Sequence, residues 1–423
     1  MPTIRLSQST LPNSEILRYL PRYKTIQRTL LTIQVIWNAP TQKWVMVVSY
    51  AQEFVIGIYT SPNLKEWTHA SNFSHHGLLG LQYECPNLVS MPVIKNASIA
   101  SPLDSSNYAS IDEMYVLTIS INPGAPLGGS ITQYFPGTFN GTHFTTADDA
   151  TRLTDFAKDN YAGQFFYNIP SDKPQLSIAW ASNWEYSQRV PTGPLENFRS
   201  FMTLPRQNVL ANTTRGPYTL MQLPYDLTPL QTPVTNCTGL ANSSLLYDYS
   251  RTVTSGALSF NMTINNIPAA NITGTANFTF LSSVTGESVR GGFFLGGDAP
   301  FFLNRGNING FDKSDPFFTD KFSVTNLVNT ETQTWRITVV IDRSILEVFV
   351  DNGLRSGTMT FFPEGELDTL MIATGDLNPG VTAAVDVYGL SSAWGSQEGV
   401  NGTVYGNYTM GMMKRNTLGH LKY

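Results

Sequence analysis

Along the 423-residue chain, apolar residues come in short runs or alternate with polar ones, and turn residues close each run. A first set holds "WVMVVS" at 44–49, "FVIGIYT" at 54–60, "MYVLTISI" at 114–121 and "LSIAWAS" at 176–182. A second holds "ALSFNMT" at 257–263, "WRITVVI" at 335–341, "ILEVFV" at 345–350, "TLMIAT" at 369–374 and "AAVDVYG" at 383–389. Few stretches have a helical period, so the pattern predicts strands throughout and an all-β protein. Between the sets, "LTPLQTPVTNCTGLANSS" at 227–244 is polar and turn-rich and reads as a linker. The strands before it resemble propeller blades, and those after it a β-sandwich. The expected division is a leader at 1–34, propeller-like strands at 35–226, the linker, and a sandwich at 245–423. One hairpin is explicit: "TWRITVVIDRSILEVFVDNG" turns at Asp342-Arg343-Ser344 and ends at the turn pair Asn352-Gly353. Within it, Glu347 reads as a solvated strand residue.

Composition narrows the function. Charged residues make up 13% of the chain, the net charge is -5, and no Lys/Arg stripe appears, so nucleic acid and anionic membrane are not expected partners. No apolar run reaches the roughly 18 residues of a membrane-spanning helix. Two cysteines, Cys85 and Cys237, exclude a disulfide framework and a four-cysteine zinc site. The pair His75-His76 has no metal-binding spacing, so neither a metal nor a cofactor is expected. The leader "ILRYLPRYKTIQRTLLTIQ" is locally basic and irregular, and "MPTIRLSQSTLPN" lacks the apolar core of a signal peptide. Yet eleven Asn-x-Ser/Thr sites occur, at Asn72, Asn96, Asn140, Asn212, Asn236, Asn242, Asn261, Asn271, Asn277, Asn401 and Asn407. They point to an extracellular glycoprotein, and so to a natural N-terminus other than Met1.

The chemistry centres on "YECPNL" at 83–88. A glutamate in so apolar a setting is protonated, paired or put to work. The motif resembles the glutamate-cysteine-proline signature of glycoside hydrolase family 32, the invertases, inulinases and related fructosyltransferases. The likeness extends to "SPNLKEW" (61–67), "GLLGLQYECPNL" (77–88), "SINPGAPLGGS" (120–130), "GTFNGTHF" (137–144), "DFAKDNYAGQFF" (155–166), "WASNWEY" (180–186), "FFLNRGN" (301–307) and "DRSILEVFVDNG" (342–353). It implies a five-bladed propeller, of which about the last three blades are present, followed by a β-sandwich. It also implies retaining cleavage of terminal β-fructofuranosides such as sucrose or fructans. That reaction uses two carboxyl groups about 5–5.5 Å apart. The motif assigns the acid/base role to Glu84, with Tyr83, Cys85 and Pro86 raising its pKa. Family position makes Tyr83, Asp155, Lys158, Asp159, Tyr161 and Trp184 candidate sugar contacts, although Ala157 replaces the usual glycine. Trp184 fits a sugar-facing ring and core packing equally well.

The family's nucleophile, in an Asn-Asp-Pro-Asn motif, has no match. "SDP" at 314–316 falls in the sandwich, and Leu31, Thr32 and Ile33 stand where Arg-Asp-Pro is expected. Roughly two blades are therefore expected to be missing, and the chain as written is expected to be inactive on sucrose. The alternatives are a non-catalytic sugar-binding protein and a gene remnant. The "QYECP" form is closer to invertases than to exo-inulinases. Hydrolysis against transfer, and homo-oligomerisation through the sandwich, stay open.

Overall fold

The structure, a computed structural model, describes residues 30–94, 113–193, 198–213, 216–296, 300–325 and 333–391. Most of the leader and the sites at Asn96, Asn401 and Asn407 lie outside the described residues. β1 (Leu30–Asn38), β2 (Lys43–Tyr50), β3 (Val55–Ser61) and β4 (Thr68–Ser74) form one antiparallel sheet in chain order. The alternation of β2 decides what each face meets. Val45 and Val47 pack with Ile56, Ile58 and Phe73 against Tyr83, Leu117 and Ile119 of the next sheet, while Met46 and Val48 turn to Tyr59 and Trp67. β1 begins at Leu30, five residues before the boundary expected at 35.

Two further meanders follow. The first is β5 (Tyr83–Ile94), β6 (Glu113–Ile121), β7 (Ile131–Phe139) and β8 (Phe144–Thr146), with β9 (Arg152–Leu153) beside β7. The second is β10 (Tyr161–Phe165), β11 (Gln175–Ala181), the short β12 (Phe201–Met202), β13 (Arg206–Thr213) and β14 (Gly216–Pro224). A short parallel contact, Leu210 with Val93 and Ala211 with Ile94, joins them into one ten-stranded sheet. These are the blade-like units that the strand spacing predicts.

The remainder is a sandwich. Its strands are β15 (Gln231–Leu240), β16 (Ser244–Asp248), β17 (Ala257–Asn265), β18 (Thr275–Leu281), β19 (Ser288–Phe294) and β20 (Pro300–Asn307). After them come β21 (Lys321–Thr325), β22 (Trp335–Asp342), β23 (Ile345–Val350), β24 (Arg355–Thr360), β25 (Thr369–Gly375) and β26 (Thr382–Leu390). One sheet runs β15-β26-β17-β22-β23-β24 and the other β16-β25-β18-β19-β20-β21. Inward residues of both sheets build one apolar core, with Phe260 against Phe278 and Trp335 stacked on Phe293 at 4.2 Å between ring centres. The predicted hairpin forms as β22–β23, with Asp342 opposite Ile345.

The linker expected at 227–244 is corrected. Residues 231–240 are β15, paired with β26 from Gln231 opposite Leu390 to Leu240 opposite Ala383. β15 is an edge strand with mostly exposed side chains. Its polar composition therefore reflects solvent rather than a lack of structure. The "SDP" look-alike lies at a single helical turn, Phe311–Ser314, in the sandwich.

Candidate active site

Glu84 stands at the start of β5, opposite Ser120 of β6, and the register slips between Glu84 and Asn87. At the slip Cys85 takes φ +46°, a left-handed conformation that costs a non-glycine residue energy. A bulge of this kind re-aims a side chain. Asn87 then ties β5 to β10: its Nδ2 donates to the Gly163 carbonyl at 2.9 Å, and its Oδ1 accepts from the Phe165 N–H at 3.2 Å. That link brings Tyr161, first residue of β10, beside the acid.

Both carboxyl oxygens of Glu84 are held by neutral donors. The Tyr161 hydroxyl donates to Oε2, and the Gln82 amide to Oε1. Burial pushes the carboxyl above the usual range for a glutamate, and these two bonds only partly offset it. The Tyr161 hydroxyl is in turn driven far above its ordinary value by burial and by the adjacent carboxylate. From Tyr161 a line of rings leads to solvent. Its ring lies 6.1 Å from Trp180, and Trp180 lies 5.1 Å from Trp184, which is 45% exposed.

The turn carrying Trp184 is fixed by Asn183, whose Oδ1 accepts from the Glu185 N–H at 3.0 Å and whose Nδ2 donates to the Ser130 carbonyl at 3.1 Å. Gly129 faces this amide at φ +67°, and a Cβ there would come within 1.9 Å of Asn183 Oδ1. The glycines of "SINPGAPLGGS" thus make room for the Trp184 turn.

Comparison with known proteins identifies the family. The family model "Glycosyl hydrolases family 32 N-terminal domain" matches residues 34–224, and "Glycosyl hydrolases family 32 C terminal" matches 232–382. The chain belongs to glycosyl hydrolase family 32. It is 37% identical over 348 residues to an extracellular exo-inulinase of Meyerozyma guilliermondii, a match covering 78% of this chain and 62% of that protein. It is 36% identical over 359 residues to invertase 2 of Saccharomyces cerevisiae, with the same coverages. The beta-fructofuranosidase of Schwanniomyces occidentalis, solved with fructosyl-erythritol, superposes with a TM-score of 0.72 at 29% identity, covering 85% of this chain and 70% of that one. The chain thus spans about three-fifths of the length of the curated relatives it matches.

In this family 32 chain, several of the expected sugar contacts have their polar groups engaged by other residues of the protein. Tyr83 is fully buried in the propeller core; its hydroxyl donates to the His76 carbonyl at 2.6 Å, and burial pushes it up to about 12. The loop bearing Asp155, Lys158 and Asp159 is clasped by the sandwich. Asp155 accepts from the Thr358 N–H at 2.9 Å, the Thr358 hydroxyl at 2.7 Å and Arg206 at 3.2 Å. Asp159 accepts from Arg305 at 2.7 Å, from the Thr360 N–H at 2.9 Å and from the Tyr186 hydroxyl. Lys158 donates to Glu185 at 2.6 Å and to the Phe317 carbonyl at 2.9 Å. The side chains of Asp155 and Asp159 have 0% of their surface exposed and that of Lys158 2%, so all three are closed off from solvent. Their positions near Tyr161 in sequence are kept, but their charges are spent on the domain interface.

Glu347 is corrected in the same way. It is buried and accepts from Arg206 at 2.6 Å and from the Leu204 N–H at 2.6 Å. The second face of β23 is covered by the propeller rather than by water. Arg206 uses all five N–H donors there, on Glu347 twice, Asp155, Gln222 and Thr358. Among the described residues, no group of three or more His, Cys, Asp or Glu is placed to hold a metal. Gln82 and Trp180 are the site residues that the motif reading passed over. Both lie inside quoted motifs, which was the signal available.

Proposed function

We propose that this chain supplies the acid/base half of a retaining site that cleaves terminal β-fructofuranosides, with Glu84 as proton donor. The observation that carries the reading is the setting of Glu84: half-buried, raised in pKa by burial, and held through both oxygens by neutral partners. An acid that keeps its proton towards neutral pH protonates a leaving glycosidic oxygen; once deprotonated, it takes a proton from attacking water. Trp184, two rings beyond Tyr161 and backed by Trp180, offers a sugar ring an exposed aromatic face. The names of the relatives, exo-inulinase and invertase, support sucrose or a fructan as substrate. The extracellular relative and the many glycosylation sites support an extracellular setting.

The same reaction needs a nucleophilic carboxylate across the scissile bond. Residues 1–423 contain neither Asn-Asp-Pro-Asn nor Arg-Asp-Pro, and Leu31-Thr32-Ile33, near the start of β1, stands where the latter is expected. Residues 1–423 alone therefore bind sugar without turning it over. The test follows glucose release from sucrose by residues 1–423, and by a protein extended with any coding sequence at the 5′ end of the transcript, each with and without Glu84→Gln. The expected result is no release from 1–423, and release from an extended protein that Glu84→Gln abolishes. Release by 1–423 overturns the half-site; release by the extended protein that survives Glu84→Gln overturns the role of Glu84.

A further inference from the structure

A small cavity of about 20 Å³ lies between the meander of β5 to β9 and the meander of β10 to β14. Thr118 of β6 and Thr132 of β7 line it from one side, and Ser177 of β11 and Arg206 of β13 from the other. Asn160, the residue just before β10, lines it as well. The cavity adjoins the link that brings Tyr161 beside Glu84. Thr118 stands opposite Asn87 in the β5–β6 register, and Gly163, whose carbonyl accepts from Asn87, is part of the wall.

Most polar groups of the wall are already engaged. The Thr132 and Ser120 hydroxyls bond each other at 2.8 Å, and the Ser177 hydroxyl oxygen accepts from the Asn208 amide at 3.0 Å. All five N–H donors of Arg206 go to Glu347, Asp155, Gln222 and Thr358. Two groups are not engaged. Thr118 is 2% exposed, and its hydroxyl has no partner among the described residues. Asn160 is 5% exposed, and its side-chain amide makes no hydrogen bond to a described residue. A buried hydroxyl or amide without a partner is costly, and two on the wall of one cavity call for a common one.

The chemistry of the wall selects that partner. An anion finds no free donor on Arg206. A metal cation finds no acid among the lining residues, and it meets a guanidinium instead. A sugar does not fit. A water needs roughly 10–15 Å³ and two to four polar neighbours, and the cavity offers both. Thr118 and Asn160 supply two neighbours, and the Ser177 hydroxyl can donate as a third.

We infer that the cavity binds a water shared by Thr118 and Asn160, and that through this water Asn160 acts as a positioning residue for Tyr161. Asp159, on one side of Asn160, is pinned to the sandwich by Arg305 and Thr360. Tyr161, on the other side, holds Glu84. The bound water fixes the residue between them, so no link between the domain joint and the Glu84 carboxyl is left loose. The inference concerns where that carboxyl is held, and it stands whether or not Glu84 is the acid.

Crystals of the full chain that diffract well enough to show ordered water test the site directly. Density within hydrogen-bond distance of Thr118 Oγ1 and the Asn160 amide is expected; an empty cavity overturns the site. Thr118→Val keeps the shape of the side chain and removes only the hydroxyl. Its melting temperature is expected to fall by a few degrees, because the water loses a partner. A rise means that the hydroxyl was merely unpaired, and it overturns the site independently of the crystals. The positioning role is read from the Glu84 carboxyl by carbon-detected NMR. Asn160→Leu, which fills the cavity with an apolar group, is expected to raise the Glu84 midpoint by a few tenths of a pH unit, as the Tyr161 hydroxyl is held less firmly. Asn160→Ser, which keeps a group for the water, is expected to bring the midpoint back. An unmoved midpoint in Asn160→Leu, or a midpoint equally raised in Asn160→Ser, overturns the positioning role.

Discussion

Replacing Arg206 by methionine removes five hydrogen bonds and one positive charge from the joint between propeller and sandwich, where no solvent can take their place. Asp155 and Glu347 are left buried without their cation, and their side chains are 0% and 4% exposed. Breaking a buried charge pair by removing one partner costs about 3–5 kcal/mol, because the remaining charge is uncompensated. The cost depends on pH. Burial already raises both carboxyls above their ordinary values, against the pull of Arg206. Without the guanidinium they rise further and are neutralised in acid. The variant is therefore expected to lose about 3–5 kcal/mol near pH 8 and clearly less near pH 5. Urea unfolding followed by tryptophan fluorescence at the two pH values measures this. Because Arg206 bridges the domains, a single unfolding transition is also expected to split into two. The control is Asp148→Asn, which breaks a more exposed pair with Arg152 and is expected to cost no more than about 1 kcal/mol. A loss below about 1 kcal/mol for Arg206→Met at pH 8, or one equal at both pH values, refutes the claim that this cation holds the joint.

Three further outcomes are expected. Asp312 and Asp351 are buried and pushed up to about 7, burial outweighing Arg305 for the first, and Arg336 and Arg355 for the second. Their folded-state values lie above the unfolded ones, so stability is greatest in acid and is lost as pH rises through about 7, by at most about 4 kcal/mol for each. Thermal melts between pH 4 and pH 8 on the chain and on Asp312→Asn check this, since the asparagine variant should flatten the profile; an unflattened profile sinks the assignment. Tyr161→Phe removes the hydroxyl that favours ionised Glu84, so the Glu84 carboxyl should titrate higher in carbon-detected NMR; a lower or unchanged midpoint contradicts the bond as described. Trp184→Ala should weaken sucrose binding by about tenfold, measured by calorimetry, with little change in melting temperature because the ring is 45% exposed; equal affinity would return Trp184 to the surface packing of the blade.

Strand positions were legible because most strands bury one face and follow a period of two, as in β17, where Leu258, Phe260 and Met262 face the core and Asn261 faces solvent. β15 escaped because an edge strand with a polar exterior has the composition of a loop. Glu347 escaped for the opposite reason. β23 buries residues on both faces, one under the sandwich core and one under Leu204 and Arg206, and a polar residue in such a strand looks the same as one facing water until its cover is known. The motif singled out Glu84 and Tyr161, but the hydroxyl–carboxyl contact between them appears only in the fold. It could not say where Asp155 and Asp159 point, because the threonines and arginines that receive them come from 51 to 203 residues further along the chain.

These buried aspartates connect the domain joint to Glu84. Asp155 and Asp159 pin both ends of a short loop onto β24, and the chain runs from Asp159 through Asn160 directly into Tyr161. On the propeller side, Asn87 holds β10 against β5 just downstream of Glu84. The hydroxyl that holds Glu84 is thus located by two anchors, one from each domain, and neither anchor is itself exposed to substrate. A carboxyl fixed in this way need not reorganise as a proton leaves it, which is the condition for efficient acid catalysis. It follows that the sandwich fixes the position of the Glu84 carboxyl mechanically while contributing no group to it among the described residues. Loosening Thr358 or Thr360 should then be felt at Glu84 before it is felt in the sandwich core, whose packing around Phe260, Phe278 and Trp335 does not pass through the loop.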